Sequence, residues 1–129
     1  MAEQNAFLAK SNESLASAGD DFEHRRYNSC ARNAYYAAFQ AAVAALLHEG
    51  IRPARRWEHE FVRSQFAGIL VYRRKRFGPG FRTLLTDAFD RRVDADYTDR
   101  SLKRQDAASV LVRVRQLVQE VQEQVGGNS

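Results

Sequence analysis

The sequence predicts an all-α fold, an up-and-down antiparallel bundle of four to five helices. Three observations predict it. Apolar residues recur at spacings of three and four along most of the chain. The helix formers Ala, Leu, Gln, Glu and Arg dominate, and proline occurs only at Pro53 and Pro79. The connections between striped segments are short, which makes consecutive helices antiparallel neighbours.

A chain of 129 residues is expected to form one domain. It is placed at residues 1–125, and the tail at 126–129 is expected to be disordered. A domain of this size buries roughly two thirds of the surface its unfolded chain exposes. It therefore needs neither a disulfide nor a metal to fold. The single cysteine, Cys30, excludes an intrachain disulfide and reads as a small buried hydrophobe.

Five helical segments follow in order. The first covers residues 2–18, with Phe7, Leu8 and Leu15 on a thin apolar face. Gly19 is expected to end it, and Asp20 or Asp21 to cap the second. That second helix carries the strongest pattern in the chain. Tyr27, Cys30, Ala31, Ala34, Tyr35, Ala38, Phe39, Ala42, Ala45 and Leu46 form a stripe of more than five turns. Alanine on much of it lets neighbouring helices approach closely. Arg25, Arg32, Asn33, Gln40 and Glu49 make the other side polar, and Gly50 stops the helix ahead of Pro53.

The third helix is expected over residues 56–72, with Phe61, Val62, Phe66, Ile69 and Leu70 inward. Gly78-Pro79-Gly80 then breaks the chain. The fourth helix starts near Phe81 and frays near Tyr97. The fifth starts between Ser101 and Arg104 and runs to about Val125, striped by Ala107, Val110, Leu111, Val114, Leu117, Val118, Val121 and Val125. The second and fifth helices are the expected faces for a homodimer.

Several chemistries have no support. His24, His48 and His59 are far apart, and no cysteine pair completes a zinc site. There is no phosphate loop after a strand and no nucleophile elbow. No metal and no cofactor are expected. The N-terminus has neither a basic start nor a continuous apolar stretch, so no signal peptide is read. The mildly apolar 34–47 run is too short to span a bilayer. A soluble, cytoplasmic protein without membrane contact is expected.

Two groups of polar residues depart from plain packing. The inward face of the fourth helix ends in Arg92 and Asp96, four apart, with Tyr97 next. Inward charges must be paired or must line a cleft. The pair reads either as a structural ion pair with Tyr97 packed over it, or as an anion site built on Arg92. The second group is Arg73, Arg74, Lys75, Arg76 and Arg82, beside Tyr72, Phe77 and Phe81. It reads either as a solvated loop or as a surface that holds a nucleic-acid backbone and stacks a base. Arg52, Arg55 and Arg56 beside Trp57 pose the same choice. The formal charge of +4 permits nucleic-acid binding without requiring it. Of the 20 basic residues 17 are arginine, the residue suited to bidentate phosphate or carboxylate contacts.

Two stretches resemble a known family. The run from Arg32 through Tyr35, Tyr36, Ala37, Phe39 and Gln40 to Ala42 resembles the Tyr-Tyr-Ala-x-Phe-His-Ala signature of small prokaryotic HEPN-domain proteins. Arg92-Val93-Asp94-Ala95-Asp96-Tyr97 resembles their Arg-x-x-Ala-Asp-Tyr segment, and His59 matches a position where such proteins often carry His. The resemblance implies a dimerising bundle that pairs with a small nucleotidyltransferase in toxin–antitoxin or defence-like systems, in association with RNA. It also implies, for active relatives, a metal-independent ribonuclease using Arg and a His four to six residues on. Here Tyr97 stands after four intervening residues, and Gln40 replaces the His of the first motif. The expectation is therefore an interaction protein rather than an enzyme. The alternatives are a ribonuclease with Arg92, Asp96 and Tyr97 at the dimer cleft, and a purely structural scaffold.

Overall fold

The computed structural model describes residues 2–126 and contains five α-helices with no strand among them. Helix α1 is Ala2–Glu23, α2 is Tyr27–His48, α3 is His59–Gln65, α4 is Leu84–Tyr97 and α5 is Arg104–Val121. The expected all-α bundle is what forms.

Helix α2 is its axis. Thirteen of its residues are buried, among them Ala34, Ala38, Ala41, Ala42 and Ala45. These small side chains let α1 lie along it closely enough for the buried Ser11 Oγ to donate to the Ala37 carbonyl at 2.7 Å. Helices α5, α4 and α3 cover the rest of α2. The α5 stripe from Ala107 to Val121 is buried within the chain, so that stripe is not free to serve as the dimer face expected of it.

Several boundaries differ from expectation. Helix α1 does not end at Gly19 but continues to Glu23. A Cβ at Gly19 would meet Arg115 Nη2 of α5 at 3.0 Å, so this glycine gives room for a neighbour rather than a stop. The chain turns instead at Arg25, which takes the left-handed conformation (φ 62°). Arg26 N–H donates to the Asp21 carbonyl (2.8 Å) and Arg25 N–H to that of Phe22 (3.1 Å). This is the closure usually built on glycine. Asp20 and Asp21 do not cap α2. They sit in the last turn of α1, where Asp21 accepts from Arg26 Nε and Asn33 Nδ2, both at 2.8 Å. Gly50 (φ 80°) does end α2 as expected, with Ile51 N–H on the Leu46 carbonyl.

Helix α3 begins at His59 rather than residue 56 and passes into a π-helical segment, Phe66–Arg73. Pro79–Phe81 forms a single 3₁₀ turn, so α4 starts at Leu84, not at Phe81. Beyond α5 a π turn, Gln122–Gly126, includes the first residue of the expected tail. The rest of that tail, 127–129, lies outside the described residues. No helix among the described residues is long and apolar enough to cross a membrane.

Candidate functional site

The Tyr-Tyr pair of α2 and the Arg-x-x-Ala-Asp-Tyr segment of α4 come together. Asp96 ends the inward face of α4 with 16% of its side chain exposed, and it serves two arginines. Its Oδ1 accepts from Arg32 Nε at 2.9 Å and from Nη2 at 2.8 Å. Its Oδ2 faces Arg92 Nε at 3.6 Å, too far for a hydrogen bond. The strong pair is therefore across helices, Arg32–Asp96, and the within-helix pair of Arg92 and Asp96 is the weak one.

Arg92 is held by aromatic faces instead. Its guanidinium carbon lies 5.4 Å from the Tyr35 ring centroid and 5.3 Å from that of Tyr36, within range of a cation–π interaction. The side chain is 23% exposed, and its buried Nε has no hydrogen-bond partner. Two guanidinium groups thus share one carboxylate, leaving the cluster one positive charge in excess. That arrangement suits an anion, because the partly exposed guanidinium can donate to a phosphate or carboxylate oxygen through its outer nitrogens.

A histidine joins the same cluster from another helix. Tyr35 Oη lies 2.8 Å from His59 Nδ1, and the His59 ring stacks on Phe89 with centroids 4.0 Å apart. Phe89 is one turn before Arg92 on α4. Burial is the main cause that holds His59 below its ordinary 6.5, and the Arg63 and Arg92 charges act the same way against Glu60 and Asp90. Burial likewise pushes the Tyr35 phenol up to about 12. Tyr35 therefore keeps its proton, and its hydroxyl shares a hydrogen bond with Nδ1 of a His59 ring that favours the neutral form.

Tyr97 is elsewhere. It is 71% exposed, so it does not pack over the Arg92–Asp96 pair as the structural reading of that motif expected. It is the one member of the predicted trio that the fold leaves apart. The basic group also divides. Arg74 Nη1 and Arg76 Nε both reach Glu49 at the end of α2, at 3.0 and 3.3 Å. Lys75 and Arg82 line a cavity with Tyr72, and Arg73 is exposed. Of the third arginine group, Arg52 pairs with Glu3 at 2.7 Å and Arg56 with Glu58 at 3.3 Å. Trp57 packs against Phe7 and Phe61. Among the described residues no cluster of three His, Cys, Asp or Glu is placed to hold a metal.

Arg32 and Tyr35 read from the sequence as opposite faces of one helix and, with Tyr36, as parts of a motif, and nothing in the spacing joins them or Phe89 to Arg92 in one site. Arg32 could have been found, since it lies within the same motif as the tyrosines and 64 residues from the acid it binds. Glu49 carried no signal beyond lying near a helix end.

An all-α bundle whose central helix presents paired tyrosines to an arginine and an aspartate on a later helix defines a class of small helical domain. The HEPN domain model matches residues 4–124, and the chain belongs to the HEPN family. No curated protein matches it closely enough to add a more particular identity.

Proposed function

We propose that this HEPN protein is a cytoplasmic, nucleic-acid-associated interaction protein. It acts as a homodimer and as the partner of a small nucleotidyltransferase in a toxin–antitoxin or defence-like system. One observation carries the nucleic-acid part of this reading: Arg32 and Arg92 converge on a single carboxylate, which leaves one guanidinium charge for a phosphate. Arg73, Lys75 and Arg82, which form no ion pair with another described residue, extend the positive surface, whereas Arg74 and Arg76 share the single carboxylate of Glu49. RNA binding that falls steeply with salt supports the reading. Arg92→Ala is expected to weaken it, and binding unaffected by that change removes Arg92 from the site. Co-expression with an adjacently encoded nucleotidyltransferase tests the partnership. Failure of the two proteins to co-elute rejects it.

A second reading, a metal-independent ribonuclease, is favoured by the position of His59. Its neutral imidazole sits on the same aromatic cluster as Arg92, in the protonation state a general base needs. Arg92 would hold the scissile phosphate, and Asp96 would orient Arg32. Exposed Tyr97 would lie at the edge of the dimer cleft. Incubation of the pure protein with RNA in chelator is the test. Cleavage that persists unchanged in both Arg92→Ala and His59→Gln assigns the activity to something else.

A further inference from the structure

The π-helical segment and the turn after it build a second site, at the opposite end of α4 from Asp96. The chain leaves the π segment through Lys75, which takes the left-handed conformation at φ 53°. Arg76 N–H then folds back onto the Leu70 carbonyl at 2.7 Å. Glu49 fixes the loop from outside through Arg74 and Arg76. Phe77 anchors it from inside, buried against Phe66 and Phe81. The loop thus encloses a cavity of about 360 Å³ whose walls include Val71, Tyr72, Phe77 and Pro79. Tyr72 stands at its edge, 73% exposed. Lys75 and Arg82 line it too, and no acidic residue does. Neither cation forms an ion pair with another described residue, in contrast to Arg74 and Arg76.

We infer that this cavity binds one nucleotide, its base stacked on Tyr72 and its phosphate held by Lys75 and Arg82. An apolar wall with an exposed aromatic ring fits a planar base, which stacks without regard to sequence. Two cations without acidic partners fit the phosphate beside it. An acidic peptide would use the cations but leave the ring uncovered, and an apolar ligand would leave the cations unused. The nucleotide is either a free mononucleotide or an unpaired residue of an RNA strand. Arg82 lies just before α4 and Arg92 ten residues later, roughly 15 Å along a helix. A strand seated in the cavity can therefore continue to the Arg32–Arg92–Asp96 cluster. In that RNA-borne form the inference rests on the nucleic-acid reading of the cluster.

The experiment measures binding of a short unstructured RNA and of a single mononucleotide, each at several salt concentrations. The proteins are the wild type, Tyr72→Ala, Tyr72→Phe, Arg92→Ala and the double variant Lys75→Gly/Arg82→Ala. Glycine suits the left-handed backbone at position 75 and removes the cation without straining the loop. Tyr72→Ala is expected to lower RNA affinity by about tenfold, with Tyr72→Phe close to wild type. The double variant is expected to flatten the salt dependence by roughly 0.7 in slope, for the one phosphate that the two cations hold on a single strand. Mononucleotide binding lost in Tyr72→Ala but kept in Arg92→Ala identifies the free nucleotide as the ligand. RNA binding lost in Arg92→Ala but unchanged in Tyr72→Ala overturns the cavity site and leaves the Arg92 cluster standing. The reverse pattern upholds the cavity and removes the cluster. A wild type that binds neither probe overturns both.

Discussion

Arg32 and Asp96 lie 64 residues apart in the chain and meet at 2.8 Å, so the carboxylate near the end of α4 is held by α2. Because the same carboxylate faces Arg92, it both fastens two helices and tempers the charge of the candidate anion site. These two roles predict opposite effects from one substitution. Asp96→Asn leaves two arginines without their acid in a half-buried setting, at a cost of about 1–3 kcal/mol in stability. It also removes a negative charge beside Arg92. Affinity for a phosphate-bearing strand is then expected to rise roughly fivefold, about 1 kcal/mol of relieved repulsion at a solvent-facing site. Chemical denaturation and RNA binding on the same variant check the pair of outcomes. A variant that is both less stable and a weaker binder shows that Asp96 shapes the site rather than restraining it.

The Tyr35–His59 contact predicts a pH dependence. In the fold His59 titrates below its ordinary 6.5, so the unfolded chain binds this proton more readily than the folded one. Stability then rises with pH across the window between the folded value and 6.5. The contribution is intact above 6.5 and is lost as the pH falls. His59→Gln retains a hydrogen-bonding group beside the Tyr35 hydroxyl but has no proton to take up in this range. The wild type is expected to lose stability between about pH 7 and pH 5 relative to His59→Gln. Parallel curves for the two proteins rule out this linkage.

Most of the fold was legible because it follows from local pattern. The α2 stripe, the α5 stripe and the Gly50 stop all depend on residues within a few turns, and all appear where the periodicity puts them. One misplaced boundary involves a distant residue, and the others are local conformations that the spacing does not show. Gly19 lies against the Arg115 guanidinium, nearly a hundred residues later, and no helix-end rule distinguishes that from a stop signal. The turn at Arg25 was hidden because a non-glycine residue fills the left-handed position there. The π-helical end of α3 is an irregularity of hydrogen bonding that leaves no mark on hydrophobic spacing. At the site, Arg92 and Asp96 were legible as charges on an inward face. Their true partners, Arg32 and the Tyr35–Tyr36 pair, became visible only when α2 and α4 were placed side by side.

Lys75 separates stability from binding. A non-glycine residue in the left-handed region is strained, and Lys75 occupies that region at φ 53°. Lys75→Gly is expected to stabilise the fold by up to about 1 kcal/mol, less what glycine costs through the freer unfolded chain. The same change is expected to weaken RNA binding at low salt. Thermal unfolding and salt titrations on this one variant provide the check. A loss of stability contradicts the strain at position 75, and unchanged binding removes Lys75 from the phosphate contacts.

Glu49 predicts the opposite change in charge. Its carboxylate, 13% exposed at the end of α2, faces Arg74 and Arg76 at once. Both arginines are about half exposed, so solvent screens the pairs and each is worth well under 1 kcal/mol at the surface. Glu49→Gln is therefore expected to cost only about 0.5–1.5 kcal/mol in stability, including the hydrogen bonds it weakens. It also removes the one negative charge that Arg74 and Arg76 share beside the Tyr72 cavity. If the strand passes there, the salt dependence of RNA binding steepens by roughly 0.7 in slope and affinity at low salt increases. Binding isotherms at four or five salt concentrations resolve that difference. A slope identical to wild type means that the strand does not pass this loop.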